Sequence, residues 1–136
     1  MENCAFCRIE KGQLTSRKVH ETELTMVLLA KEMEVFWHTL IIPKAHYKDI
    51  TDIPTATLAD MMEVTKKIIL HYQKTLWSTG ANLIAATGEW AQQSTPHFHF
   101  HLMPRFFKND GLDMWPVLPK IQVDKDELLK RVKIVE

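Results

Sequence analysis

Residues His97-Phe98-His99-Phe100-His101-Leu102 alternate without a break between imidazole and large apolar side chains. A period of two fits a strand with one buried face, because successive side chains of an extended chain point to opposite sides. Phe98, Phe100 and Leu102 are then directed into a core, and His97, His99 and His101 share the other face. Same-face neighbours stand roughly 6.5–7 Å apart along a strand. At that spacing at most two imidazoles reach one small ion, so the third needs a separate role. Three readings follow: a half-exposed strand that carries histidines without using them, a catalytic zinc site completed by a ligand from elsewhere, or an imidazole nucleophile toward phosphorus with oxyanion-binding neighbours. Neutral imidazole is abundant at pH 7, since its unperturbed pKa is about 6.5, and it attacks without an activating base.

The 136-residue chain has the length of one domain, and its 46% hydrophobic content is enough for a real core. Seventeen Lys+Arg balance seventeen Asp+Glu, which leaves no electrostatic footprint for duplex nucleic acid or an anionic membrane surface. The longest wholly apolar run, Met26 to Ala30, is far short of a membrane span. The opening Met1-Glu2-Asn3-Cys4 lacks the basic and apolar regions of a secretory signal. These features predict a soluble, cytoplasmic, single-domain protein spanning 1–136.

Short strands are expected at Arg17–Glu21, Met26–Lys31 and His38–Ile42, the last stopped by Pro43. Leu58, Met61, Met62, Thr65, Ile69, Tyr72 and Leu76 recur at helical spacing, which predicts a long helix from Pro54 or Thr55 that stops before Gly80. Its methionines read as core. Ala81–Thr87 reads as a buried strand, Glu89–Thr95 as a polar loop, Pro96–Pro104 as the histidine strand, Asn109–Pro119 as a break and Asp124–Val132 as a short amphipathic helix. Five strands with one long helix predict an α+β fold with an antiparallel meander. Cys4 and Cys7 form a C-x-x-C with no further cysteine, open to three readings: half of a zinc site, a redox pair, or two buried thiols.

His97 to Met103 resembles the H-φ-H-φ-H-φ-φ signature (φ apolar) of the histidine triad superfamily. Gln93-Ser94-Thr95-Pro96 resembles the G-Q-x-V-x stretch leading into it, and His38-Thr39-Leu40-Ile41-Ile42-Pro43-Lys44-Ala45-His46 resembles H-x-L-V-I-P-K-x-H. Cys4-Ala5-Phe6-Cys7-Arg8-Ile9-Glu10-Lys11-Gly12 is similar to the C-x-F-C-K-I-x-x-G opening of the Hint-like branch. The four motifs keep the family's order over about residues 4–105, with 106–136 as a C-terminal extension.

The resemblance implies an α+β subunit whose five-stranded antiparallel sheet, with a long helix and short flanking helices, is extended by dimerisation. It implies nucleotidyl transfer or hydrolysis on nucleoside monophosphate–X substrates such as phosphoramidates and dinucleoside polyphosphates. His99 is then the nucleophile, His101 holds phosphate oxygens, Gln93 and Ser94 lie in the loop at phosphate and leaving group, and Phe6 and Ile9 pack the nucleobase. Cys4, Cys7, His46 and His97 would bind a structural zinc, with no organic cofactor. His38 has two readings, a member of the site or a satisfied core histidine. The pattern departs at Ala30, where the family has a ribose-binding aspartate, at Ala86, where it has Asn or Gln, and at Gln92, where it has glycine. Those departures favour the competing expectation, a non-catalytic module that holds a nucleotide or protein partner; the intact triad opposes it.

Overall fold

A computed structural model describes residues 3–107, 110 and 119–135. A short helix, α1 (Ala5–Glu10), starts where Cys4 leaves the helical region and its Sγ accepts the Cys7 N–H at 3.4 Å. Strands β1 (Lys18–Glu21), β2 (Thr25–Leu29) and β3 (Thr39–Pro43) follow, then the long helix α2 (Thr55–Thr75). Next come β4 (Gly80–Ile84), a single 3-10 turn at Glu89–Ala91, β5 (Phe100–Arg105) and the helix α3 (Lys125–Val132).

The strands form one antiparallel sheet in the order β1-β2-β3-β5-β4. The α+β class is as expected, but the sheet is not a pure meander. Helix α2 crosses one face and lets β4 land at the edge, with β5 inserted between it and β3. Residues Thr57, Met61, Val64, Thr65, Ile68 and Tyr72 are the buried side of α2. They cover a sheet face that carries Val27, Ile41, Phe100 and Leu102. The opposite face packs Met26, Leu28 and Ile42 against Cys4, Phe6 and Cys7 of the α1 segment. Thr22 and Thr25 hydroxyls both donate to Asp60, at 2.7 and 2.6 Å, and fasten α2 to the β1–β2 turn.

Four expectations shift. Met62 is 47% exposed, because Val64 and Ile68 take the core-facing positions beside Met61. Helix α2 stops before Gly80 as expected, but Gly80 is not its terminating residue: Trp77 occupies the left-handed position after the C-cap, with φ 58°, and Gly80 opens β4. That strand is a half-exposed edge and not a buried one. The histidine strand is shorter at its start. Continuing the β3–β5 register (Ile41 opposite Phe100) sets Phe98 opposite Pro43, which has no N–H to give. The Phe98 N–H turns instead to the Tyr47 carbonyl at 2.6 Å. Helix α3 forms as expected with Asp124 as its cap, accepting the Asp126 and Glu127 N–H groups. The expected break at Asn109–Pro119 lies outside the described residues except for Asp110 and Pro119.

Candidate functional site

Leaving the ladder early turns His97 away from its neighbours. Its ring is fully buried, and Nε2 donates to the Pro43 carbonyl at 2.8 Å, which leaves the Nδ1 lone pair free to ligate. That Nδ1 lies 3.3 Å from Cys4 Sγ, 3.5 Å from Cys7 Sγ and 3.1 Å from His46 Nδ1; His46 Nδ1 lies 3.3 Å from Cys7 Sγ. The ligand atoms of Cys4, Cys7, His46 and His97 all fall within 4.8 Å of one another. A tetrahedral ion with bonds of 2.0–2.3 Å has ligand–ligand edges of about 3.3–3.8 Å, so the group fits such an ion. Burial, then the hydrogen bond and charge of Cys4, push the Cys7 thiol up to about 11. A bound cation supplies the charge that would stabilise its thiolate.

His38, His101 and His99 form a chain whose two ends are fixed by backbone. The Glu34 N–H points at His38 Nδ1 at 3.4 Å, making that nitrogen the acceptor. His38 Nε2 therefore carries the proton and donates to His101 Nδ1 at 3.0 Å. His101 in turn carries its proton on Nε2, 3.1 Å from His99 Nε2. At the far end His99 Nδ1 donates to the His97 carbonyl at 2.9 Å. This assignment, inferred from the network, satisfies every member and leaves an unprotonated lone pair on His99 Nε2. Burial lowers the pKa values of His38 and His99, and holds His101 near about 4 with help from the nearby His99 and His38. The chain is thus neutral at pH 7.

Of the other residues singled out from the sequence, Phe6 is buried and stands edge-on to both His97 and His99, at centroid distances of 5.5 and 5.2 Å. Ile9 is half-buried at the rim of the same cluster. Ser94 is exposed. Gln93 is spent internally: its Oε1 accepts the Gly88 N–H at 2.9 Å, and its Nε2 donates to the carbonyls of Lys48 and Thr95 at 2.7 and 3.0 Å. Gln92 has φ 65°, a left-handed conformation that explains why glycine suits the position. Ala30 is buried and its N–H bonds the His38 carbonyl at 2.9 Å.

His38 is both buried and bonded into the histidine chain, so it carries features of both of its sequence readings. The contributions of Glu34, Tyr47 and Lys48 come from backbone groups, for which their residue types give no signal. Only Pro43, with no N–H to offer a neighbouring strand, hints that the chain beside it must find other partners.

Residues 11–108 match the HIT domain family. The chain is 32% identical over 130 residues to an uncharacterized HIT-like protein of Methanocaldococcus jannaschii, covering 96% of this chain and 98% of that one. It is 36% identical over 119 residues to an adenosine 5′-monophosphoramidase of Candida albicans, covering 84% and 78%. A zinc-bound histidine triad family protein from Mycobacterium smegmatis superposes with a TM-score of 0.77 at 31% identity, over 93% of this chain and 87% of that one. With its four sequence motifs, its sheet and its histidine chain in agreement with that match, this protein belongs to the HIT domain family.

Proposed function

We propose that this protein is a nucleotide hydrolase or nucleotidyltransferase that cleaves nucleoside monophosphate–X substrates through a covalent adduct on His99. The observation that carries the proposal is the placement of the His99 ring, with Nδ1 2.9 Å from the His97 carbonyl and Nε2 3.1 Å from His101 Nε2; the tautomer that satisfies both contacts leaves Nε2 unprotonated. In the first step this lone pair bonds to the α-phosphorus while the P–X bond breaks and X leaves with the electron pair. His101 turns its Nε2 proton from His99 to a phosphoryl oxygen. The positive charge that attack places on the His99 ring is stabilised through Nδ1–H by the His97 carbonyl. Water then displaces the histidine, the P–N bond breaks, and nucleoside monophosphate is released. Phosphoramidates and dinucleoside polyphosphates are the proposed substrate classes, the first supported by the monophosphoramidase name of a relative with 36% identity.

Phe6 and Ile9 form the apolar edge proposed to receive the nucleobase, and the exposed Ser94, in the loop leading into His97, is proposed to contact the phosphate. The ion that fits the two thiols and two imidazoles is, we propose, zinc. Four protein ligands close its coordination, so its role is structural, holding α1 against the sheet. β4 is a sheet edge, and Leu83 on it and Trp77 just before it are exposed; such an edge suits pairing with a second copy of the chain. No described helix is long and apolar enough to cross a membrane.

The test is turnover of a panel of nucleoside phosphoramidates and diadenosine polyphosphates by the wild type and by His99→Asn, both metal-loaded. Loss of at least about three orders of magnitude in the variant is expected for a missing nucleophile. Folded, metal-loaded wild type that binds nucleotide without turning it over would instead identify a binding module.

A further inference from the structure

We propose that Gln93 is a positioning residue: it clamps the loop 88–95 onto the 46–48 segment, and so sets where a phosphoryl group sits against His99, without touching substrate itself. The proposal rests on the nucleotidyl-transfer reading above. Both amide protons of Gln93 are committed, to the carbonyls of Lys48 at 2.7 Å and Thr95 at 3.0 Å, and its oxygen holds the Gly88 N–H at 2.9 Å. An amide with no proton to spare cannot donate to a phosphoryl oxygen. Its contribution is therefore geometric.

The three partners explain what the clamp joins. Gly88 opens the loop with φ 89°, and the backbone N–H of Gln93 returns to the Gly88 carbonyl at 3.2 Å. Glu89, Trp90, Ala91 and Gln92 between them are all exposed, so apolar burial does not hold this turn. Among the described residues, apart from two hydrogen bonds within the turn, Ala91 to Gly88 and Gln92 to Glu89, the hydrogen bonds that tie it to the rest of the fold run through Gln93. On the other side, Lys48 follows Tyr47, whose carbonyl receives the Phe98 N–H, and His46 of the metal-binding group. Thr95 leads into His97 and His99. One side chain thus joins the loop, the segment that anchors the histidines, and the approach to the nucleophile. A displacement of about 1 Å at such a point costs on the order of 100-fold in rate.

Two variants separate this role from others in the full, metal-loaded chain. Gln93→Glu keeps the length and the acceptor for Gly88 but turns an oxygen toward two carbonyls. Gln93→Met keeps the shape and removes all three bonds. In both, amide hydrogen exchange at Gly88 to Gln92 is expected to quicken at least about 10-fold, with metal content unchanged. Against nucleoside phosphoramidates of graded leaving-group basicity, kcat is expected to fall about 10–100-fold with KM within about 3-fold. The deficit should widen for the more basic leaving groups, a trend that a general loss of folded protein would not produce. Unchanged exchange in both variants overturns the clamp, as does a rise in KM with kcat intact, which would make Gln93 a substrate contact. If Gln93→Met fails to fold, Gln93→Glu decides. Wild type that turns nothing over defeats the hydrolase reading separately, and the exchange measurement still decides whether Gln93 orders the loop.

Discussion

Replacing His38 by phenylalanine tests the histidine chain at the member farthest from the proposed chemistry. The variant keeps an aromatic ring in a buried place, but His101 Nδ1 loses the donor that lies 3.0 Å away. Nothing then fixes which nitrogen of His101 bears the proton, and its Nε2–H toward His99 is no longer enforced. A buried acceptor left without its donor costs about 1–3 kcal/mol. If that cost is felt in the transition state, kcat/KM falls about 5–150-fold. His38→Gln, whose amide N–H can reach toward the same nitrogen, should recover part of the loss. The assay is kcat/KM for a nucleoside phosphoramidate across pH. In His38→Phe the His101 pKa, held at about 4 first by burial, should also rise, because the nearby His38 is one of the groups that lower it. A variant within two-fold of wild type, beside an inactive His99→Asn, would refute a role for His38 in setting the His101 proton.

Three further outcomes are expected. Cys7→Ser should empty the metal-binding group, read as bound metal per chain, and lower Tm by at least about 10 °C; full metal retention would contradict the assigned ligand set. Burial depresses the pKa values of His38, His99 and His101 below 6.5, so the unfolded chain binds more protons than the folded one below pH 6.5. Stability should therefore fall as pH drops from about 7 to 4.5, and a urea midpoint that rises over that window would reverse the sign. Trp77→Gly removes a non-glycine residue from a left-handed position and should raise stability by about 0.5–1 kcal/mol in dilute protein. On the dimer reading it should also weaken self-association in sedimentation, and a marked drop in stability in dilute protein would contradict the strain at this position.

The parts legible in the sequence were those set by local periodicity. Phe100 and Leu102 pack into the core as their alternation requires, and Met61, Thr65 and Tyr72 mark the buried side of α2. Met62 misled because an apolar side chain next to the stripe looks the same on paper as one within it. What escaped depends on distant partners. The insertion of β5 between β3 and β4 is a choice of neighbours that strand patterns do not specify. The early end of the ladder follows from Pro43 being opposite Phe98, which only the register reveals. The bond between His38 and His101 joins residues 63 positions apart. Helix α1 is six residues long and capped by a cysteine, too short to leave a periodic signal.

His97 belongs to two structures at once: its ring lies in the metal-binding group and its backbone carbonyl orients His99. The two are therefore inseparable to selection and to an engineer. If the four residues hold a metal, a descendant that abandons it must replace more than four ligands; it needs another anchor that keeps residue 97 seated on the Pro43 carbonyl, or the next imidazole loses its bearing. On the proposed function, drift at Cys4, Cys7 or His46 would accordingly be registered in the chemistry as well as in stability, and compensating changes should gather around the Pro43–His97 contact.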